Sequence, residues 1–260
     1  MSKDIPIKEI VIEWHFEPKD YFEEKVLIEY EDFNIIIDSG NAEARIPPKY
    51  FNSIDVFIDK LTHDLESHFL GAQVISHQTY KLSDPKRYDL REDGGKNMYV
   101  KAGPFVGTGS FGQVEWSIKD SKGNIIRSSK RERIDKKKWF AEASTKYRIE
   151  DKVLDQMLKS YAVSVSDPMN ELIHLYEIRE AACAKFGRDK ITQKSLNITH
   201  TDWNFLGRIA NHEPFIQGRH RGQNPGKLRD ASQKELQQAR EVAKKIIEQY
   251  MKHLEKQSDL

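Results

Sequence analysis

The stretch IDKKKWFAEASTKY, Ile134 to Tyr147, is where the patterning of the chain changes. Ahead of it, apolar residues recur every second position. Beyond it, they recur at the three- and four-residue spacing of a helix. Its lysines, Lys136 to Lys138, read as a polar connector or as the start of a helix carrying Trp139 and Phe140. The switch predicts an α+β protein. Residues 1–147 form a β-rich domain with one packed helix, and residues 148–260 form an α-helical bundle.

In the first half, Ile10, Ile12, Trp14 and Phe16 share one face of a half-buried strand. Val26–Tyr30 and Phe33–Ile37 read as two further strands joined at Glu31-Asp32. Pro47-Pro48 breaks this pattern, and Ser53 can cap a helix. The apolar stripe of that helix is Ile54, Phe57, Ile58, Leu61, Leu65 and Phe69, with Gly71 as its stop. Strand-like segments return at Gln73–Leu82, Asn97–Lys101, Gly112–Lys119 and Asn124–Ser129, and Asp120–Gly123 makes a hairpin tip between the last two.

In the second half, Val153, Leu154, Met157, Leu158 and Tyr161 form one helical stripe. Asp167-Pro168 reads as an N-cap with proline at the first helical position. The helix after it runs to Gly187 and carries Arg179 inside its apolar stripe. A buried arginine needs a partner, and a carboxylate on another helix is the expected one. Ser232-x-x-Glu235 is a capping box that opens a last long helix.

Composition bounds the function. With 260 residues, 38% hydrophobic and 32% charged, the chain can build real cores under a well-solvated surface. A net charge of +1 excludes a wholesale polyanion binder, so affinity for nucleic acid must come from a local patch. Cys183 is the only cysteine, which excludes an intrachain disulfide and a cysteine-based zinc site. No stretch has the length and apolarity of a signal sequence or a membrane span. A cytoplasmic protein without a membrane partner is the expectation.

The local patch lies in HTDWNFLGRIANHEPFIQGRHRGQNPGKLRD, His200 to Asp230. A short amphipathic segment ends near Pro214. A loop then carries Arg219, His220, Arg221, Lys227 and Arg229 among Gly218, Gly222 and Gly226. Lean backbone beside arginine forks suits phosphate, and histidine titrates near neutral pH. His220 and His212 are therefore the candidate proton-transfer residues, with Arg219 and Arg208 beside them. Arg221, Lys227 and Arg229 are the candidate phosphate ligands. His200, Asp202, His212, Glu213 and His220 are close in sequence but lack a metal-ligand spacing such as H-E-x-x-H. Neither a metal nor a cofactor is expected.

Two resemblances follow from these residues. GTGSFGQV, Gly107 to Val114, resembles the glycine-rich loop of protein kinases. No lysine falls at the required place on the next strand, and no H-R-D or D-F-G motif follows. It is read as a glycine-rich turn without kinase activity or ATP affinity. Residues 148–260 resemble the HEPN superfamily of prokaryotic toxins and defence proteins. That resemblance rests on a helical bundle with arginine and histidine near a helix end. The pieces are Arg208-x3-His212, one residue short of the family's R-x(4–6)-H, and Arg219-His220-Arg221. It implies a bacterial-type effector or defence protein that engages RNA or a nucleotide phosphate. It further implies a metal-independent ribonuclease that works as a homodimer. The alternative is a non-enzymatic adaptor whose basic loop docks an acidic partner.

Overall fold

A computed structural model describes residues 5–99, 117–119, 125–223 and 226–258. The fold is α+β, with an antiparallel sheet in the N-terminal part and helices in the C-terminal part. Contacts divide the described residues into two units. One holds residues 5–66 and 80–99, and the other holds 67–79 and everything from 117 onward. Patterning puts the boundary at residue 147. The contact division instead runs through the first helix and ahead of residue 117.

The first unit is a seven-stranded sheet. Its strands are β1 (Ile7–Glu17), β2 (Val26–Glu29), β3 (Asn34–Asp38), β4 (Asn41–Ile46), β5 (Lys81–Leu82), β6 (Lys86–Arg91) and β7 (Lys96–Tyr99). The order is β2-β3-β4-β1-β6-β7, and β5 pairs with the end of β1. Every pairing is antiparallel. Ile10, Ile12, Trp14 and Phe16 are buried as their alternation predicts, and Ile35, Ile37, Ala42, Ala44 and Ile46 join them. Two strands escape the sequence reading. β4 presents only alanines and one isoleucine to the core, and β6 is KRYDLR, with Asp89 fully buried. Arg87 makes that burial tolerable by holding Asp89 with two hydrogen bonds of 3.0 Å.

Helix α1 spans Ile54–Ser76, longer than expected. Gly71 does not stop it. A side chain there would collide with the Phe140 carbonyl and place its Cβ 2.8 Å from Ala141 Cα. This glycine allows close helix packing, and the helix ends instead at His77, whose φ is +47°. Gln73–Ser76 is therefore helix where a strand was expected, because the buried side of α1 continues through Ala72 and Val74.

The second unit continues with β8 (Ser117–Lys119) and β9 (Ile125–Ser128), paired antiparallel. The expected hairpin tip Asp120–Gly123 and the glycine-rich segment Gly107–Val114 lie outside the described residues. Helices α2 (Ser129–Tyr147), α3 (Lys152–Ser166), α4 (Glu171–Phe186), α5 (Asp189–Ser195), α6 (His200–Asn211) and α7 (Gln233–Ser258) follow. The lysine-rich stretch is thus the middle of a helix, capped by Ser128 and packed through Phe140, Ala141, Ala143, Ser144 and Tyr147. Asp167 does not cap α4. Its carboxylate accepts from Asn170 Nδ2 at 2.7 Å, and Pro168–Asn170 forms a short 3-10 turn before α4 begins. α7 supplies the longest buried stripe, Leu236 through Leu254, against α2, α3, α4 and α6. Its capping box forms as expected. Glu235 N donates to Ser232 Oγ at 3.3 Å, and Ser232 N donates to Glu235 Oε2 at 2.8 Å. No helix among the described residues is long and apolar enough to cross a membrane.

Candidate functional site

Helix α6 starts on Thr199, whose hydroxyl accepts from Asp202 N at 3.1 Å, and ends with His212 at its C-cap. The chain then turns back on the end of the same helix. Arg219 N donates to Ala210 O at 2.8 Å, and Gly218 N donates to Phe215 O at 3.1 Å. A Cβ at Gly218 would sit 3.1 Å from Ala210 O, so this approach suits glycine.

Residues 214–217 and 229–231 close the base of the loop. Ile216 N donates to Arg229 O at 3.0 Å, and Arg229 N donates to Pro214 O at 2.9 Å. The Gln217 side chain, buried beneath, donates to Asp230 Oδ1 at 3.0 Å and accepts from Ala231 N at 3.1 Å. Gly218–Arg229 is therefore a strap fastened at both ends.

Each arginine of the region has a partner inside the protein. Arg208 pairs with Glu213. Arg219 Nη1 donates to Glu180 Oε1 at 2.9 Å and lies over the Tyr176 ring. Arg221 donates to Gly218 O and Met169 O at 3.1 Å each, and to the Asn170 side chain. Arg229 grips Glu235 at 3.1 and 3.3 Å and lies over Phe215. Glu235 thus serves both the cap of α7 and the strap. These contacts, led by Arg229, pull its carboxyl down from the ordinary 4.5 to about 2. Lys227 is exposed and has no ion-pair or hydrogen-bond partner among the described residues.

His220 and His212 are both exposed. His220 is the residue between the two arginines that fasten the strap to α4, one at Glu180 and one just ahead of the first turn. The histidine and acidic residues considered together at the sequence level go separate ways. His200 meets Gln193 and Asn204, Asp202 binds Lys245 at 2.7 Å, and Glu213 binds Arg208. The Lys245 ammonium holds the Asp202 carboxyl below the usual carboxylate range. No group of three or more histidine, cysteine or acidic side chains is arranged to hold a metal among the described residues.

Arg179 has the carboxylate partner expected of it. Nη2 donates to Asp189 Oδ2 on α5 at 2.5 Å, and Nη1 donates to Trp203 O at 3.2 Å. Its guanidinium lies over both the Trp203 and the Tyr176 ring, 4.7 and 5.3 Å from their centroids. Sequence reasoning missed Glu180 and Asn170, which look like ordinary surface residues of α4 and its leading turn, and read Tyr176 only as part of the apolar stripe of α4. It also missed a buried polar cluster elsewhere in this unit. There Arg240 holds Glu171 at 2.5 and 2.8 Å, and His77 Nδ1 lies 3.3 Å from Tyr161 Oη. Compared with known proteins, the chain matches no family model, no curated protein and no solved structure.

Proposed function

We propose that the helical unit is a HEPN-like domain of a cytoplasmic effector or defence protein. In this reading it engages the phosphates of RNA or a nucleotide through the strap Gly218–Arg229. The activity is metal-independent RNA cleavage, carried out as a homodimer in which two straps form a composite site. The observation that carries the reading is the setting of His220. It is exposed, and the arginines on both sides of it are fastened, Arg219 to α4 and Arg221 to the turn just ahead of α4. A proton-transfer group held by its neighbours is what general acid–base catalysis needs.

In such a reaction the ribose 2′-oxygen attacks phosphorus and the bond to the 5′-oxygen breaks. His220, with His212 as the alternative, takes the 2′-hydroxyl proton and returns a proton to the leaving oxygen. Arg208, Arg219, Arg221, Lys227 and Arg229 supply positive charge as the phosphate gains negative charge. The carboxylate partners of the arginines do not bar this role, because exposed ion pairs are worth only about 0–1 kcal/mol and phosphate competes for the same forks.

The test incubates the full chain with labelled single-stranded RNA in EDTA, beside His220→Ala. Cleavage by the wild type that is lost in the variant, with unchanged melting, supports the reading. Absence of cleavage, or equal cleavage by both proteins, removes it. One observation favours the second reading, a non-enzymatic adaptor. The strap's arginines are already occupied, so they serve the loop's shape before any ligand's charge. An adaptor would bind an acidic protein partner and bind RNA no more tightly than a neutral control.

A further inference from the structure

Four side chains on three elements are linked in one chain of alternating guanidinium and ring contacts. Trp203 of α6 is fully buried. Arg179 of α4 lies over it, Tyr176 follows one helical turn earlier on α4, and Arg219 of the strap lies over Tyr176 at 4.8 Å. Tyr176 thus has a guanidinium at 5.3 Å and another at 4.8 Å from its centroid. These contacts run from the core to the surface, where 34% of the Arg219 side chain remains exposed.

Both guanidinium groups are fixed by something other than stacking. Arg179 is held by Asp189 and the Trp203 carbonyl. Arg219 is held at its backbone by Ala210 O and at one edge by Glu180. We infer that this series of contacts ends in a base-stacking subsite, in which the outward face of the Arg219 guanidinium receives an unstacked nucleobase. The ligand class is then single-stranded nucleic acid bearing bases. A bare phosphate chain or a duplex, whose bases are already stacked, does not fill the subsite. This rests on the RNA reading above and changes the part that Arg219 plays in it.

The charge at this spot points the same way. The Glu180 carboxylate, half exposed, neutralises Arg219 along its edge and would repel a phosphate placed there. An edge-on ion pair leaves the flat face of a guanidinium open. Stacking on that face is how arginine takes up splayed-out bases. The neighbouring carboxylate can accept from an exocyclic amino group of the stacked base. Phosphate contact then falls to the other cations of the region, among them Lys227, which has no ion-pair partner among the described residues.

The experiment compares two RNA-backbone oligomers of equal length, one of adenosine nucleotides and one abasic, against wild type and Arg219→Lys. Lysine keeps the charge and can keep the Glu180 pair but has no planar face. The wild type is expected to prefer the base-bearing oligomer by about 10-fold, the size of one base stack. Arg219→Lys is expected to lose that preference, binding the two oligomers about equally. Equal binding of both oligomers by the wild type overturns the subsite and leaves phosphate binding standing. A preference that survives in Arg219→Lys also overturns it. Binding of neither oligomer overturns the RNA reading, and the subsite with it.

Discussion

The guanidinium of Arg179 occupies the space that a side chain at Gly207 would need. Gly207 faces α4 from the middle of α6, and its missing Cβ is what lets the buried arginine reach the Trp203 carbonyl and Asp189 together. A glycine inside a twelve-residue helix is thus explained by packing.

Gly207→Ala sets two effects against each other. Alanine favours a helix over glycine by about 1 kcal/mol. Against that, it displaces Arg179 from its partners, and breaking up a buried charge costs about 3–5 kcal/mol. The second effect is larger, so the variant is expected to lose about 2–4 kcal/mol of stability. Urea unfolding measures the difference, and a variant as stable as the wild type would contradict the packing described.

Acid should weaken the helical unit before its carboxylates titrate. His77 and His68 are both pushed from an ordinary 6.5 down to about 4, chiefly by burial. For His77 the cations Arg240 and Lys244 of α7 add to this, and Tyr161 and Glu171 are its other polar neighbours. For His68 the added cation is Lys138 of α2. The unfolded chain binds these protons at a higher pH than the folded chain does. The stabilisation is complete above pH 6.5 and is lost as pH falls towards 4. Each histidine contributes a slope of at most about 1.4 kcal/mol per pH unit. His77→Gln should flatten the pH dependence of unfolding between pH 6.5 and 5 without altering stability at pH 8 by a similar amount. An unchanged slope would mean that His77 already takes up its proton in the folded state.

The regular elements that bury a wide apolar face were legible in the sequence. β1, α3, α6 and α7 announce themselves through large side chains at periods of two or 3.6. β4 was hidden because Ala42 and Ala44 give a weak alternation, and β6 because its inward residues are the ion-paired Arg87 and Asp89. Gly71 and Gly207 look alike in sequence to helix-breaking glycines, since the groups that need their space, Phe140 and Arg179, come from other helices. The same limit applies to the strap. Its composition was plain, but Glu180 lies 39 residues from Arg219 and Asn170 lies 51 from Arg221. Only folding brings those partners to the loop, and they decide which charges stand free.

The Arg208–Glu213 pair offers a test of what those partners do. Both residues lie at the end of α6 beside His212, and the Arg208 side chain is 56% exposed. Glu213→Gln removes the opposing charge but keeps a side chain of the same shape. Because an exposed pair contributes about 0–1 kcal/mol, melting should hardly change. Arg208 then becomes available to a phosphate. RNA affinity should rise about 3- to 10-fold at low salt, and the slope of log affinity against log salt should steepen by about 1. A neutral partner change of this kind leaves affinity and slope untouched if the arginine serves only to hold the end of α6. Fluorescence titrations of the wild type and Glu213→Gln with one labelled oligonucleotide at several salt concentrations distinguish the two outcomes. A steeper slope would place Arg208 among the phosphate contacts, and identical slopes would remove it.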